Sequence, residues 1–181
     1  MNEKLNLTRH TDFDKFVARD VVDSMALERF LDSGERVLDV GSGGGVPGAI
    51  LAIVRPDLEV TLSDSVAKKA RALEEIVQSA GVAARVRHAP AQAVLELERF
   101  DTLTARAVAP VSKLLTWFAP HWDNFNRLLI IKGPAWIEER AAARTAGLLK
   151  SLELRKLCSY PLPGTDSESV VLSIRPKDQV E

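Results

Sequence analysis

The chain has 181 residues, with 24 Lys and Arg against 25 Asp and Glu and a single cysteine. A formal charge of −1 excludes a globally basic nucleic-acid binder, so any contact with nucleic acid must come from a local basic surface. Cys158 alone permits no intramolecular disulfide and no cysteine-rich zinc site, which fits a reducing compartment. No apolar run approaches the roughly 20 residues of a membrane span, and the start Met1-Asn2-Glu3-Lys4 lacks the apolar stretch of a secretory signal. The expectation is a cytoplasmic protein without a membrane partner, built as a single domain over residues 1–181 with a substantial core.

In chain order, Phe13, Phe16, Val17, Val21, Met25, Leu27 and Phe30 fall close to helical spacing. They predict a helix over 12–31, stopped at Ser33-Gly34. Residues 1–34 thus read as a short N-terminal helical extension, and 35–181 as an α/β core. Apolar runs at Val37–Val40, Val60–Leu62, around Arg85–His88 and at Thr102–Thr104 read as strands. Between them lie helical patterns after Pro47 and over Val66–Ala80, and a short link near Val94–Leu97. Pro110 opens a further helix, being favoured at a first helical position. Leu128-Leu129-Ile130-Ile131 reads as a buried strand, and the Ala- and Arg-rich Glu138–Lys150 as a helix. Strands near Leu152–Leu157 and Ser169–Ile174 close the chain, with Tyr160-Pro161-Leu162-Pro163-Gly164 as the loop between them. Such alternation predicts an α/β fold: a mostly parallel sheet covered on both faces, ending in a C-terminal antiparallel hairpin.

The stretch Arg36-Val37-Leu38-Asp39-Val40-Gly41-Ser42-Gly43-Gly44-Gly45-Val46-Pro47-Gly48 carries the most chemistry. A strand ends in an acid, a glycine-rich loop follows, and a helix opens at Pro47, so a nucleoside-bearing ligand can lie against bare backbone. Two patterns fit. Gly43-x-Gly45-x-x-Gly48 with Asp64 downstream matches a dinucleotide fingerprint. Asp39 followed by Gly41-x-Gly43-x-Gly45 matches the loop of S-adenosyl-L-methionine (SAM) methyltransferases. A purely structural glycine turn is the third possibility. Residues elsewhere weigh against a dehydrogenase, which needs a proton donor or acceptor at its carbonyl. Tyr160 is the one tyrosine, none of His10, His88 and His121 stands in a catalytic setting, and there is no length for a substrate domain. Methyl transfer asks for alignment more than for acid–base chemistry.

Several ordered segments together resemble the RsmG (GidB) family of bacterial methyltransferases. They are Asn6-Leu7-Thr8, Asp23-Ser24, the glycine loop with its Pro47-Gly48 ending, Asp64-Ser65-x-x-Lys68-Lys69, Arg106-Ala107 and Lys132-Gly133. The resemblance implies a Rossmann-like class I SAM-dependent methyltransferase. It also implies a substrate, the seven-position nitrogen of a guanine in 16S ribosomal RNA or the small ribosomal subunit, and a monomer is expected. By the same resemblance Gly41, Gly43, Gly45 and Val46 line the methionine and ribose parts of SAM. Asp64 binds ribose hydroxyls, Ala91-Gln92 contacts adenine, and Arg106 lies beside the cofactor. Lys68, Lys69, Arg106 and Lys132 face RNA. No metal and no general base is implied, because that nitrogen has a free lone pair. Arg106 and Lys132 accordingly read as phosphate or cofactor-carboxylate binders.

The chain departs from the family at four places. It starts almost on top of Asn6, it has Asp20 where relatives carry His, it has Gln92 where they carry Glu, and Ser167-Glu168-Ser169 replaces an Arg-bearing segment. These departures motivate an alternative: a SAM-binding module without turnover, acting in ribosome assembly or regulation. Plainer readings stand beside the sharp ones. Lys68, Lys69 and Arg71 also fit a solvated helix face. Trp117, Phe118, Trp122 and Phe125 read as packing, whereas Trp136 fits either a pocket edge or packing. Cys158 reads as a small buried hydrophobe. Asp23 fits a helix surface or the glycine loop, and Asn6 a turn.

Overall fold

The computed structural model describes residues 12–179, so the Asn6-Leu7-Thr8 segment lies outside the described residues. One seven-stranded sheet organises the chain, in the order β3-β2-β1-β4-β5-β7-β6. The strands are β1 (Arg36–Val40), β2 (Glu59–Ser63), β3 (Ala84–Arg87), β4 (Phe100–Arg106), β5 (Phe125–Lys132), β6 (Leu152–Pro161) and β7 (Glu168–Pro176). The first five pair in parallel, and β7 inserts antiparallel between β5 and β6. The predicted parallel sheet and closing hairpin are both present. β1 continues to β2 on one side while β4 continues to β5 on the other, so a crevice opens between β1 and β4 at their carboxyl ends, where open α/β sheets bind ligands. The register aligns Val40 with both Ser63 and Ala105, which brings Gly41, Asp64 and Arg106 to one edge.

The N-terminal helix, α1, comprises Phe13–Phe16, a π-helical turn Val17–Val21, and Val22–Glu28. Asp12 caps it by accepting the Lys15 backbone N–H at 3.0 Å. The π turn is not expressed in the apolar spacing, and it leaves Asp20, Asp23, Ser24 and Leu27 all buried. The remaining helices are α2 (Gly48–Val54), α3 (Ala67–Ser79), α4 (Ala91–Leu95), α5 (Val111–Phe118) and α6 (Trp136–Thr145). The link expected near Val94 is the short helix α4. The helix expected over 138–150 begins two residues earlier and ends at Thr145, because Gly147 takes a left-handed φ of +75° and Leu148 N–H returns to the Ala143 carbonyl.

Two apolar layers clothe the sheet. On one face Leu38, Leu103 and Leu128 pack beneath α4, α5 and α6; on the other Val37, Leu62 and Leu129 pack beneath α1, α2 and α3. Phe118 and Phe125 are fully buried with rings 5.9 Å apart edge to face, and Trp122 and Trp117 lean on the same layer, as expected of packing aromatics. One feature of β6 matters for the site. Lys156 pairs with Leu172 but Cys158 with Val171, so Leu157 is an extra residue. Side chains alternate along a strand, and one inserted residue exchanges the faces. Leu152 and Leu154 therefore join the α6 layer, while Cys158 and Tyr160 join the α1 layer. Tyr160 thus belongs to a strand, in contrast to the loop expected from its prolines: β6 is an edge strand, where Pro161 is tolerated.

Candidate active site

The glycine loop is held from below by Asp39, the acid of β1. Its side chain is fully buried, accepting the Thr104 hydroxyl at 2.8 Å and the Gly48 backbone N–H at 3.2 Å. A Cβ at position 48 would overlap Leu62 and sit 2.7 Å from Asp39 Cβ, so Gly48 is demanded by the close passage of α2 over β1 and β2. Ser42 and Ser63 hydroxyls both donate to the Asp39 carbonyl, at 3.1 and 3.0 Å. Asp39 thus organises the turn and does not face a ligand.

Burial pushes the Asp39 carboxyl up from about 3.8 to about 6 against the hydrogen bonds that favour its charge. The folded state binds its proton more tightly than the unfolded chain. Its contribution to stability is therefore fully present below the unfolded value and is lost as pH rises through about 6. The expected loss between pH 4 and 6.5 is about 2–3 kcal/mol. Urea unfolding at those two pH values should show this step in the native chain and not in Asp39→Asn; parallel pH dependences in the two proteins would contradict it.

Asp64 follows β2 and is likewise buried. One carboxylate oxygen accepts the Gly43 N–H at 3.1 Å, and the other accepts the Val66 N–H at 2.9 Å. Ser42 N–H donates to the Ser63 carbonyl at 2.9 Å, so loop and acid form one preformed ledge. Each Asp64 oxygen retains acceptor capacity beyond its single bond. Gly41, in a left-handed φ of +63°, is exposed beside this ledge, and a Cβ there would press on Val108 at 3.2 Å. Gly45 is buried against Ala49 and Leu73, while Val46 is half-buried. Ala91 is buried and Gln92 half-buried in the first turn of α4, the element that follows β3. Gly41, Gly43, Asp64, Ala91 and Gln92 thus lie at the carboxyl ends of adjacent strands β1, β2 and β3.

The two cations expected at this edge are placed differently from open phosphate binders. Arg106, the last residue of β4, pairs through Nη2 with Asp20 at 2.5 Å and through Nε with Asp23 at 2.6 Å. Both acids come from α1, Asp20 with no exposed surface. Tyr160 donates its hydroxyl to Asp23 at 2.7 Å, and burial together with that carboxylate pushes the phenol well above its ordinary range. Asp23 therefore belongs to neither the helix surface nor the glycine loop. Ala107, next to Arg106, takes a left-handed φ of +55°, a strained conformation for a residue with a Cβ. Lys132, which ends β5, donates to the Ala109 carbonyl at 2.6 Å and pairs with Glu139 of α6 at 2.8 Å. Glu139 also accepts the Val111 N–H at 2.8 Å, tying α5 to α6. Lys68 is exposed and Lys69 half-buried in the first turn of α3, with Arg71 exposed behind them. Among the described residues no His, Cys, Asp and Glu group is arranged to hold a metal, and no helix is long and apolar enough to cross a membrane.

The Asp20–Arg106–Asp23–Tyr160 network was not legible beforehand. Its partners lie up to 137 residues apart, and the bulge that aims Tyr160 has no local signature. The one available signal is the pair of acids, Asp20 and Asp23, three apart on a helix with apolar neighbours.

Comparison with known proteins agrees with this architecture. Residues 1–161 match the family described as rRNA small subunit methyltransferase G (GidB). The chain is 49% identical over 161 residues to the ribosomal RNA small subunit methyltransferase G of Rhodopirellula baltica, covering 89% of this chain and 70% of that one. It is 34% identical over 175 residues to the protein of the same name from Solibacter usitatus, covering 96% and 83%. Among solved structures, a point mutant of MtNAS in complex with S-adenosylmethionine superimposes with a TM-score of 0.62 at 18% identity, over 91% of this chain and 63% of that one. An rRNA methylase from Streptococcus thermophilus gives 0.59 at 15% identity, over 87% and 96%. These structural likenesses establish the fold, that of class I SAM-dependent methyltransferases. With the glycine loop, its acid and the sheet order in place, the sequence match decides the family: the chain belongs to the rRNA small subunit methyltransferase G (GidB) family.

Proposed function

We propose that this chain, as a single monomeric domain in the cytoplasm, methylates the seven-position nitrogen of a guanine in 16S ribosomal RNA, with S-adenosyl-L-methionine as methyl donor. The observation that carries the reading is the ledge in which Asp64 is pinned to the glycine loop beside exposed Gly41, in a chain of this family. Its features fit the donor. Backbone without Cβ atoms admits the methionine and ribose portions at Gly41 and Gly43. Asp64 keeps acceptor capacity for ribose hydroxyls, and Gln92 stands where the adenine edge would be read. S-adenosyl-L-methionine, when bound, supplies an electrophilic methyl group together with its own leaving group.

The charge arrangement suits this target. The seven-position nitrogen of guanine attacks through its lone pair, so no residue has to remove a proton, and the base becomes positive as the methyl arrives. An unpaired cation at the site would oppose that charge. Here Arg106 is held between two carboxylates and Lys132 by Glu139, so neither presents uncompensated positive charge. Arg106 and Lys132 then act by positioning: Arg106 fixes α1 against β4, and Lys132 fixes the loop after β4 against α6. Lys68 and Lys69 are left for RNA phosphates.

The test is transfer of labelled methyl from SAM to small-subunit RNA by purified protein. Incorporation that disappears in a folded Gly41→Ala/Asp64→Ala variant is the expected result. SAM binding by calorimetry with no incorporation above that variant would overturn the enzymatic reading in favour of a binding module.

A further inference from the structure

Away from the ledge, a cleft of about 360 Å³ opens between α6 and the edge strand β6. Arg140 and Arg144 line it from α6, Lys150 from the following turn, and Lys177 from the segment after β7. Its floor is apolar, at Leu152 and Leu154, and its one acid is Glu153. Glu153 is already engaged by Arg155 at 2.6 Å and by Arg175 at 3.5 Å. None of the four lining cations pairs with a carboxylate among the described residues. Arg140 lies over the Trp136 ring at 5.0 Å, and the Lys177 ammonium donates to the Lys150 carbonyl at 2.6 Å. Asp123 and Asp178 line the neighbouring cleft beyond Lys177 and bound the basic strip on that side.

In a protein of net charge −1 such a concentration is a local feature that the overall composition conceals. Its layout is also directional. Trp136, Arg140 and Arg144 are spaced four apart on α6 and share one helix face, so they form a row about 12 Å long. The row begins three residues after Gly133, at the edge where β5 ends beside the ledge, and runs down the flank of the sheet towards Lys150 and Lys177.

From this row we infer that α6 and β6 form a second RNA-binding track, which holds the phosphate backbone of a single-stranded segment leading away from the target guanine. The inference rests on the proposed RNA methylation. Unpaired guanidinium and ammonium groups in a row match successive phosphates. The Trp136–Arg140 stack at its head offers the planar surface on which an unpaired base rests. That stack favours RNA over an acidic polypeptide, which offers charge but no bases. The track lies on the opposite sheet face from Lys68 and Lys69, so the two basic clusters flank the ledge.

The test uses the full chain carrying Arg144→Ala and Lys150→Ala, two exposed positions whose replacement costs little stability. Affinity for a small-subunit RNA fragment is measured across a salt series, beside steady-state methylation. RNA affinity should fall at least 10-fold at low salt. The slope of log affinity against log salt should become shallower by about 1.4, two phosphate contacts at about 0.7 each. KM for RNA should rise in step, while kcat at saturating RNA and the Kd for SAM change less than 2-fold. Arg144→Lys with Lys150→Arg should retain the native slope. Native protein that binds and methylates RNA with a slope and KM unaltered by the double substitution would overturn the track alone. A fall in kcat without a rise in KM would likewise overturn it, assigning the cations a structural role. Native protein that neither binds nor methylates the RNA would overturn the proposed function, and the track with it.

Discussion

Arg106→Ala is expected to lower the free energy of unfolding by about 3–5 kcal/mol, because it removes the guanidinium that two buried carboxylates share. Asp20 has no exposed surface and the Asp23 side chain is 7% exposed, while Arg106 itself is 19% exposed, so solvent screens this cluster weakly. Tyr160 would still donate to Asp23, whereas Asp20 would lose its ion pair with the guanidinium. Neutralising Asp20 as well should restore part of the loss: Arg106→Ala with Asp20→Asn should be more stable than Arg106→Ala alone. Urea unfolding of the native chain, both single variants and the double variant closes the cycle. A loss under 1 kcal/mol for Arg106→Ala, or no coupling to position 20, would contradict the network. Arg106→Lys should recover only part of the stability, since an ammonium cannot present the Nε and Nη2 donors in fixed geometry to two separate acids.

Asp64→Ala is expected to raise the Kd for SAM at least 100-fold, about 2.7 kcal/mol at 25 °C. The substitution acts twice. It removes the acceptors proposed for the ribose hydroxyls, and it frees the Gly43 and Val66 N–H groups that the carboxylate now holds. The second effect should appear without ligand as a loss of about 1–3 kcal/mol in unfolding free energy, the contribution of two hydrogen bonds to a charged acceptor. Asp64→Asn should fall between the native chain and Asp64→Ala, because one carboxamide oxygen still accepts while the NH₂ faces a backbone donor. Calorimetry and urea unfolding separate the two effects. Native affinity in Asp64→Ala would contradict the placement of the cofactor on this ledge.

These outcomes depend on features that differ in how far the sequence reveals them. The central strands were legible as short apolar runs, and Val37–Val40 or Leu128–Ile131 has no other plausible fate than a sheet covered on both faces. The antiparallel closure followed from the lack of a helix between β6 and β7. Gly48 and Asp39 announced a tight strand–turn–helix, although the sequence did not show that Asp39 faces the Gly48 N–H inside the turn. The π turn in α1 stayed hidden, since one inserted residue blurs helical periodicity without erasing it. Pro161 suggested a loop where the chain runs as an edge strand, and the displaced face at Leu157 then redirected Tyr160 towards α1. Arg106 and Lys132 end β4 and β5 at the sheet edge, but their partners come from 83 residues upstream and from across the β5–α6 loop. Pairings of that kind depend on the assembled fold. The resemblance marked the positions as significant, and the structure assigns them ion pairs.

In the proposed function the ledge serves methylation of a guanine in small-subunit RNA at its seven-position nitrogen. Its most direct test is nucleoside mass mapping of small-subunit RNA after incubation with the purified chain and isotopically labelled SAM. The expected result is labelled 7-methylguanosine at one position, absent with the Gly41→Ala/Asp64→Ala variant. Label in a different nucleoside, or 7-methylguanosine formed equally by that variant, would contradict it.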